Sequence, residues 1–170
     1  YSSEIKAKYQ YLLLTPTNMK TTDYKLYSYK MKHDNRFAPN PLFGVLTLAT
    51  CKPEIYVPRI LEYFNVDKYF DVAVGSELEG GERRHKNQVI DEVFVRLAAA
   101  GLADTGSLSE TKSQSIMIGD RKDDILGAKA SGIDSMGVRY GFAEEQELEI
   151  AGADYIVEMV EDIRGKLKTL

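Results

Sequence analysis

The sequence has a single cysteine, Cys51, and no apolar run near the roughly 18 residues that a membrane-spanning helix needs. One cysteine excludes an intramolecular disulfide and a zinc site built from several thiolates. The first residues show no secretory signal pattern, so we expect a cytoplasmic protein with no membrane partner. Because the chain begins at Tyr1 rather than at Met, we also expect that residues preceding it are absent.

The sequence has slightly fewer basic than acidic residues. The 170 residues carry 22 Lys and Arg against 26 Asp and Glu, which gives a formal net charge of −4. No basic stripe offsets this deficit, which argues against nucleic acid as a main partner. The hydrophobic fraction of 44% and the charged fraction of 28% are ordinary for a globular protein, and the length suits one domain with a sizeable core.

The stretch 116–133, IMIGDRKDDILGAKASGI, carries the most informative pattern. Ser115–Ile118 has the length and apolar character of a buried strand. A helix is predicted to begin at Asp120 and to end at Gly132, which would place Asp120 and Asp124 one turn apart on the same side. Two carboxylates at the carboxyl end of a buried strand suit a hard cation such as Mg²⁺. The alternative is that both only cap the helix and complement its dipole.

Strands and helices alternate along the chain from residue 43 onward. This alternation predicts an α/β fold with a parallel sheet covered by helices on both faces, a Rossmann-like core of three layers. Besides the elements of 115–132, strands are predicted at 43–50, 70–75, 135–140 and 154–157, and helices at 53–64, 84–100, 144–151 and 159–170.

Two further polar residues are predicted to reach the same edge of the sheet. Thr50 ends the strand 43–50, where its hydroxyl and nearby backbone N–H groups could bind a phosphate oxygen, unless it only caps the next helix. Lys86 shares a helix face with Ile90, Val93 and Leu97, so its stem points toward the core. An inward lysine needs a carboxylate or phosphate partner, unless it extends back to solvent.

The motif Gly-Asp-Arg-x-x-Asp-x-x-Gly-Ala at 119–128 resembles the fourth motif of the haloacid dehalogenase (HAD) superfamily, and the phosphoglycolate-phosphatase-like branch is the most similar. ATCKPE at 49–54 resembles the second motif, and Lys86 stands where the third motif has its lysine. The resemblance implies Mg²⁺-dependent hydrolysis of a small phosphorylated molecule through a phosphorylated aspartate. Its implied residues are Lys86 and Asp120 for catalysis, Thr50, Cys51 and Lys86 for phosphate, and Asp120 and Asp124 for metal.

Cys51 neighbours the implied phosphate site. A free cysteine is more often a small apolar filler than a reactive group, so its side chain is predicted to be buried and unreactive.

The first motif of the superfamily, a strand followed by Asp-x-Asp-Gly-Thr, is missing. One interpretation aligns it with YLLLTPTNMKT at 11–21, so that Thr15 and Thr17 replace both aspartates. The other takes 23–45 as the end of a helical cap and its return linker, with the first motif before Tyr1. Either way the chain has no recognisable nucleophile. We also expect that about one helix of the usual family pattern is lacking between Val45 and Leu46.

Three functions stay open at this point. The first is a HAD-like phosphatase whose nucleophile segment is missing or altered, and the second is a catalytically silent relative that binds a phosphorylated metabolite or a protein partner. The third is a receiver-like phosphate-sensing module, disfavoured because Thr50 stands at the strand end comparable to that of a receiver's acceptor aspartate. We predict residues 1–40 to be a degenerate first strand or cap remnant and residues 41–170 to be the HAD-like core, with the cap truncated or absent.

Overall fold

The computed structural model describes residues 11–14, 45–103 and 106–170. Within these ranges all strands are parallel and form one sheet in the order β3-β2-β1-β4-β5-β6, which confirms the predicted α/β fold. The strands are β1 Tyr11–Leu14, β2 Val45–Pro53, β3 Val72–Ser76, β4 Ser115–Gly119, β5 Asp134–Val138 and β6 Tyr155–Val157.

Helices connect the strands and cover both faces of the sheet. They are α1 Val57–Tyr63, α2 Lys86–Ala99, α3 Leu108–Ser113, α4 Lys122–Ser131, α5 Glu147–Ala151 and α6 Val160–Lys168. No helix in the described part of the chain is long and apolar enough to cross a membrane.

The core lies in two layers, one on each face of the sheet. In β4, Ile116 and Ile118 belong to the cluster that includes the buried side of α1 and α6, whereas Met117 belongs to the cluster built with α2 and α4. Side chains of a strand alternate between faces, so an apolar residue at every position of β4 serves both layers. This is why β4 reads as a continuous apolar run.

β1 is a central strand of the sheet. Leu12 pairs with Leu46 of β2 and Ile116 of β4, and Leu14 pairs with Leu48 and Ile118. From β1 the chain order runs through β2 and β3 to one edge, whereas β4, β5 and β6 run to the other. In an open α/β sheet this reversal leaves a crevice at the carboxyl ends of the strands, and ligands bind there.

The position of β1 bears on the two interpretations of the first 40 residues. A parallel strand at 11–14, between β2 and β4, favours the alignment of YLLLTPTNMKT with a first strand. Thr15 and Thr17 lie outside the described residues, as do 23–44 of the proposed cap remnant. β2 passes through Val45 and Leu46 without interruption, so any missing helix would precede this strand.

The helix predicted to start at Pro53 begins later. β2 continues to Pro53, and a short 3-10 turn, Glu54–Tyr56, precedes α1. Pro58 is therefore the second residue of α1, where its missing N–H removes no intrahelical hydrogen bond. The strain expected from a proline in the helix interior is thereby avoided.

Helix α3 is absent from the sequence prediction. The side chain of Ser107 accepts a hydrogen bond from the Glu110 N–H at 3.2 Å and so caps the helix. Ser followed three residues later by Glu is the sequence signature of such a start, and it was the signal available in 107–110.

Candidate phosphate and metal site

Four of the predicted site residues are buried at the carboxyl edge of the sheet. Thr50 lies near the end of β2, Asp120 directly follows β4, Lys86 is the first residue of α2 and Asp124 is in the first turn of α4. Their exposed fractions are 3%, 1%, 6% and 2%. Polar and charged groups buried to this degree require specific partners, because isolated burial is costly.

Lys86 is held between a carboxylate and a backbone carbonyl. Its Nζ lies 2.7 Å from Oδ1 of Asp124 and donates a hydrogen bond of 3.0 Å to the carbonyl oxygen of Ala49. The stem shares the buried side of α2 with Ile90, Val93 and Leu97, as its helical spacing predicts. Lys86 therefore links the end of β2, the start of α2 and the start of α4.

Asp124 organises the turn between β4 and α4. Its Oδ2 accepts hydrogen bonds from the backbone N–H groups of Asp120 and Arg121, both at 3.1 Å, while Oδ1 faces Lys86. The carboxylate thus acts as a helix cap and as the partner of a buried ammonium at the same time. Both observations favour the role of a supporting acceptor over that of a direct metal ligand.

The predicted helical relation between Asp120 and Asp124 is wrong. α4 begins at Lys122, with Arg121 as an extended residue before it, so Asp120 lies outside the helix. Asp120 instead belongs to the end of β4, and its Oδ2 accepts a hydrogen bond of 2.8 Å from the N–H of Phe142. The carboxylate is therefore oriented by the loop that follows β5.

Three glycines make room for these side chains. A Cβ on Gly127 would lie 2.4 Å from Cγ of Lys86, and a Cβ on Gly119 would lie 2.3 Å from Oδ2 of Asp124. A Cβ on Gly141 would lie 2.3 Å from Oδ2 of Asp120. Each charged side chain is thus packed against a backbone that tolerates no larger residue. Sequence reasoning assigned no such role to these glycines, although Gly119 and Gly127 fall within the quoted motif; Gly141 follows β5.

Thr50 and Cys51 lie where β2 loses its regular pairing with β3. The pairing register shifts between Ala49 and Pro53, and the Thr50 Oγ1 accepts a hydrogen bond from the Lys52 N–H at 3.2 Å. Cys51 is exposed, so the prediction of a buried cysteine is wrong. The first six residues of β2 are buried, and burial ends at Cys51, where the strand loses its regular pairing with β3.

The thiol of Cys51 is not an activated nucleophile. Desolvation of the thiol by the surrounding protein raises its pKa, and this outweighs the opposite effect of the Lys86 ammonium. Since the thiolate is the reactive form, a raised pKa lowers its reactivity at neutral pH. Cys51 is therefore a poor candidate for a nucleophile.

The donor chemistry at this edge is compatible with a hard cation. Asp120 presents a buried carboxylate at a strand end, and Mg²⁺ prefers such oxygens together with water and phosphate oxygens. In the part of the chain that the structure describes, no group of three or more His, Cys, Asp or Glu side chains is arranged to hold a metal. A cation here would thus have at most two such side chains as ligands, and Asp120 and Asp124 are the predicted pair.

A family model described as HAD-hydrolase-like matches residues 91–163. A second model, described as nucleotide modification associated domain 2, matches residues 23–63, a range that begins outside the described residues and ends with α1. The first match includes Asp120 and Asp124 and stops short of Lys86 and Thr50.

The chain is 39% identical over 103 residues to the 5'-nucleotidase of Pseudomonas aeruginosa. This alignment covers 61% of this chain and 41% of that protein. It is 29% identical over 118 residues to the phosphoglycolate phosphatase of Escherichia coli, which covers 69% of this chain and 42% of that protein. The chain therefore spans about two fifths of the length of these curated relatives.

Among solved structures, a candidate phosphatase from Clostridium difficile aligns with a TM-score of 0.66 and 29% identity, over 94% of this chain and 99% of that one. A predicted phosphatase from Clostridium acetobutylicum has the same fold, with a TM-score of 0.68 and 24% identity, over 95% of this chain and 99% of that one. The family match at 91–163 and the similarity to these phosphatases confirm the predicted resemblance to HAD-like hydrolases.

Proposed function

We propose that the protein binds a small phosphomonoester together with Mg²⁺, as a phosphatase-type member of its family, at the edge formed by Thr50, Lys86 and Asp120. The observation that carries the proposal is the buried lysine, whose Nζ lies between Asp124 and the carbonyl of Ala49 at the sheet reversal. The names of the relatives, a 5'-nucleotidase and phosphoglycolate phosphatases, support a phosphate ester as the ligand.

Each side chain has a distinct part in this proposal. Lys86 supplies a positive charge fixed in place by two contacts, so it needs no rearrangement to attract a phosphate dianion. The hydroxyl of Thr50 accepts one hydrogen bond and can also donate its proton to a phosphate oxygen. Asp124 keeps Lys86 oriented. The backbone at Cys51 directly follows Thr50 at the same edge of the sheet.

Asp120 would be the protein ligand of the metal. Mg²⁺, when bound, neutralises negative charge on the phosphoryl group and so favours its binding and transfer. Asp120 is suited to this role because the Phe142 N–H orients one of its oxygens and because the carboxylate is almost fully buried. Because the described residues offer no group of three such ligands, we expect weak Mg²⁺ binding.

Fast hydrolysis is not expected of this chain. The alignment of YLLLTPTNMKT with the family's first motif puts Thr15 and Thr17 at the positions of the two aspartates. Thr15 has no carboxylate to become phosphorylated, and Thr17 has none to protonate a leaving group. Loss of a nucleophile usually removes several orders of magnitude in rate. We therefore propose binding of the phosphate ester with turnover at background.

The test is calorimetric titration of the protein with orthovanadate, a phosphate mimic, in the presence of Mg²⁺. We expect Lys86→Ala to weaken vanadate binding by ~1.5–3 kcal/mol, the range for a hydrogen bond to a charged group. Asp120→Asn should remove the Mg²⁺ dependence of that binding. The matched control is Lys68→Ala, an exposed lysine outside this edge, which should leave both unchanged.

Two results would contradict the proposed roles of Lys86 and Asp120. Vanadate binding that survives Lys86→Ala in a folded protein would place the anion elsewhere. Mg²⁺ affinity in the micromolar range or tighter that survives Asp120→Asn would count against Asp120 as a ligand.

A further inference from the structure

Ser76 is a buried polar residue at the edge of the sheet to which the proposed function gives no role. It is the last residue of β3 and is 7% exposed, beside the part of β2 that includes Thr50. Its Oγ donates a hydrogen bond of 2.8 Å to the carbonyl oxygen of Cys51. Ser76 is therefore bonded to the residue that directly follows Thr50.

The peptide group between Cys51 and Lys52 is held at both ends. Its carbonyl oxygen accepts the hydrogen bond from Ser76, and its N–H donates a hydrogen bond of 3.2 Å to Oγ1 of Thr50. A trans peptide group is planar and its C=O and N–H point in opposite directions, so fixing the carbonyl also fixes the direction of the N–H. Ser76 thus controls, through one peptide group, a hydrogen bond that Thr50 accepts.

This hydrogen bond decides how the hydroxyl of Thr50 meets a ligand. A hydroxyl has one proton to donate and can accept two hydrogen bonds, and its proton rotates to suit its partners. Because the Lys52 N–H occupies an acceptor position of Oγ1, the hydroxyl proton must point elsewhere. The hydroxyl of Thr50, whose residue is 3% exposed, is thereby set as a donor, which is the polarity that an anionic phosphate oxygen requires.

The end of β3 supports this part of β2 where regular strand pairing is lost. Ala49 pairs with Val74 and Pro53 with Ser76, so β2 follows the longer path between the two pairs. A Cβ on Gly75 would lie 2.6 Å from the carbonyl oxygen of Lys52, which leaves this backbone no room to move toward β3. Irregular strand segments of this kind occur next to active sites, where they redirect side chains.

We propose that Ser76 is a positioning residue for phosphate binding, which orients the hydroxyl of Thr50 as a hydrogen-bond donor through the peptide group between Cys51 and Lys52. The inference rests on the proposed function, because it requires the phosphate to accept a hydrogen bond from Thr50. Ser76 itself makes no contact with the phosphate in this arrangement. Its effect on anion binding must therefore disappear when Thr50 has no hydroxyl to orient.

The test is a double-mutant cycle of Ser76→Ala and Thr50→Val, with orthovanadate titrated calorimetrically in the presence of Mg²⁺. Ser76→Ala should weaken vanadate binding by about 3- to 10-fold, the range for one hydrogen bond between uncharged groups. In the Thr50→Val protein, Ser76→Ala should weaken it further by no more than about 1.5-fold. Without vanadate, hydrogen exchange of the Lys52 N–H, followed by NMR, should be faster in Ser76→Ala than in the unaltered protein.

Ser115→Ala is the matched control for the loss of a buried serine hydroxyl. Ser115 is fully buried at the start of β4, at the opposite edge of the sheet, and its Oγ donates a hydrogen bond of 2.6 Å to the carbonyl oxygen of Thr111. Urea denaturation should show that both serine variants are folded and less stable than the unaltered protein. Vanadate affinity should change by no more than about 1.5-fold in Ser115→Ala.

The outcomes separate this inference from the proposed function. Equal weakening by Ser76→Ala with and without the Thr50 hydroxyl would show that the effect does not act through Thr50, and it would overturn the inference although the phosphate site stands. Unchanged vanadate affinity, unchanged exchange of the Lys52 N–H, or a loss of equal size in Ser115→Ala would overturn it as well. If the unaltered protein binds no vanadate, the proposed function fails and the inference with it.

Discussion

The two ends of α2 carry ion pairs of opposite character. At the first residue, Lys86 meets Asp124 at 2.7 Å, with side-chain exposures of 5% and 3%. In the last turn, Arg96 meets Glu54 at 2.6 Å and Glu92 at 2.8 Å, with all three side chains about one third exposed. Arg83 joins the second group through the same two glutamates. One end of α2 therefore has a single buried ion pair, and the other has a network of partly exposed ion pairs.

We interpret the buried Lys86–Asp124 pair as part of the proposed site and the partly exposed network as structural support. Burying two charges is costly, and removing one partner leaves the other without compensation. A protein has little reason to accept that cost for stability alone, and here the pair lies at the sheet edge where we propose that a phosphate ester binds. The Arg83, Arg96, Glu54 and Glu92 network loses little when one member is removed, because the remaining members and water replace it.

The largest expected effect is the loss of one member of the buried pair. Lys86→Met should lower the free energy of unfolding by about 3–5 kcal/mol, because Asp124 would stay buried without a cation. Urea denaturation followed by circular dichroism measures this change. The double variant Lys86→Met/Asp124→Asn should be less destabilised than Lys86→Met alone, since no charge is then left unpaired. Equal stability of the Lys86→Met protein and the unaltered protein would show that the pair is not buried in solution.

A smaller effect is expected where a glycine supports the pair. Gly127→Ala would place a Cβ 2.4 Å from Cγ of Lys86, so the lysine stem or α4 must shift. Overpacking of this kind costs about 1–3 kcal/mol. Thermal unfolding would measure it. Gly165→Ala, in α6 with no atom near the added Cβ, is the control and should stabilise by about 0.5–1 kcal/mol. A stabilising effect at both positions would contradict the close contact at Gly127.

The ion pair between Glu147 and Arg121 combines a buried carboxylate with an exposed guanidinium, and its contribution to stability depends on pH. Its hydrogen bond to Arg121, with the N–H of Lys122 and of Glu144, lowers the pKa of the carboxyl from 4.5 to about 2. A folded pKa below the unfolded one gives stability that is present above pH 4.5 and lost as the pH falls toward 2. Glu147→Gln should therefore destabilise by about 1–2 kcal/mol at pH 7, and the difference from the unaltered protein should shrink between pH 4.5 and 2.

Urea titrations of both proteins across that pH range supply the measurement. The side chain of Glu147 is only 8% exposed whereas Arg121 is 44% exposed, so solvent screens part of the pair and the smaller magnitude is expected. A difference that stays constant from pH 7 to pH 2 would mean that the carboxylate charge is not the source of the stabilisation.

The smallest effect is expected in the exposed network. Arg96→Gln removes one of two arginines, and Arg83 still lies 2.5 Å from Oε2 of Glu54. We expect a loss of no more than about 1 kcal/mol in urea denaturation. A loss as large as that of Lys86→Met would erase the distinction between the two ends of α2.

The sequence located the charged residues of the site better than their surroundings. Lys86 is recognisable because it shares a helix face with Ile90, Val93 and Leu97, and Asp120 because it follows an apolar strand. The groups that orient them, the carbonyl of Ala49 and the N–H of Phe142, belong to the backbone and are not visible as residue types. Their positions follow from how β2 and the loop after β5 pack.

Element boundaries explain the remaining errors. The start of α4 two residues after Asp120, and the late start of α1 after Pro53, depend on capping and on strand extension rather than on apolar periodicity. The exposure of Cys51 has the same origin, because β2 runs past the point where β3 pairs with it regularly. Periodicity describes a regular element well and describes its ends poorly.

Turnover of p-nitrophenyl phosphate with Mg²⁺ should be compared among three proteins: the unaltered chain, Thr15→Asp/Thr17→Asp, and that double variant with Asp120→Asn. We expect background turnover for the unaltered chain, measurable turnover for the double variant, and its loss when Asp120 is also replaced. Turnover on the order of 1 s⁻¹ by the unaltered chain, abolished by Asp120→Asn alone, would show that another acid attacks the phosphate and would contradict the account.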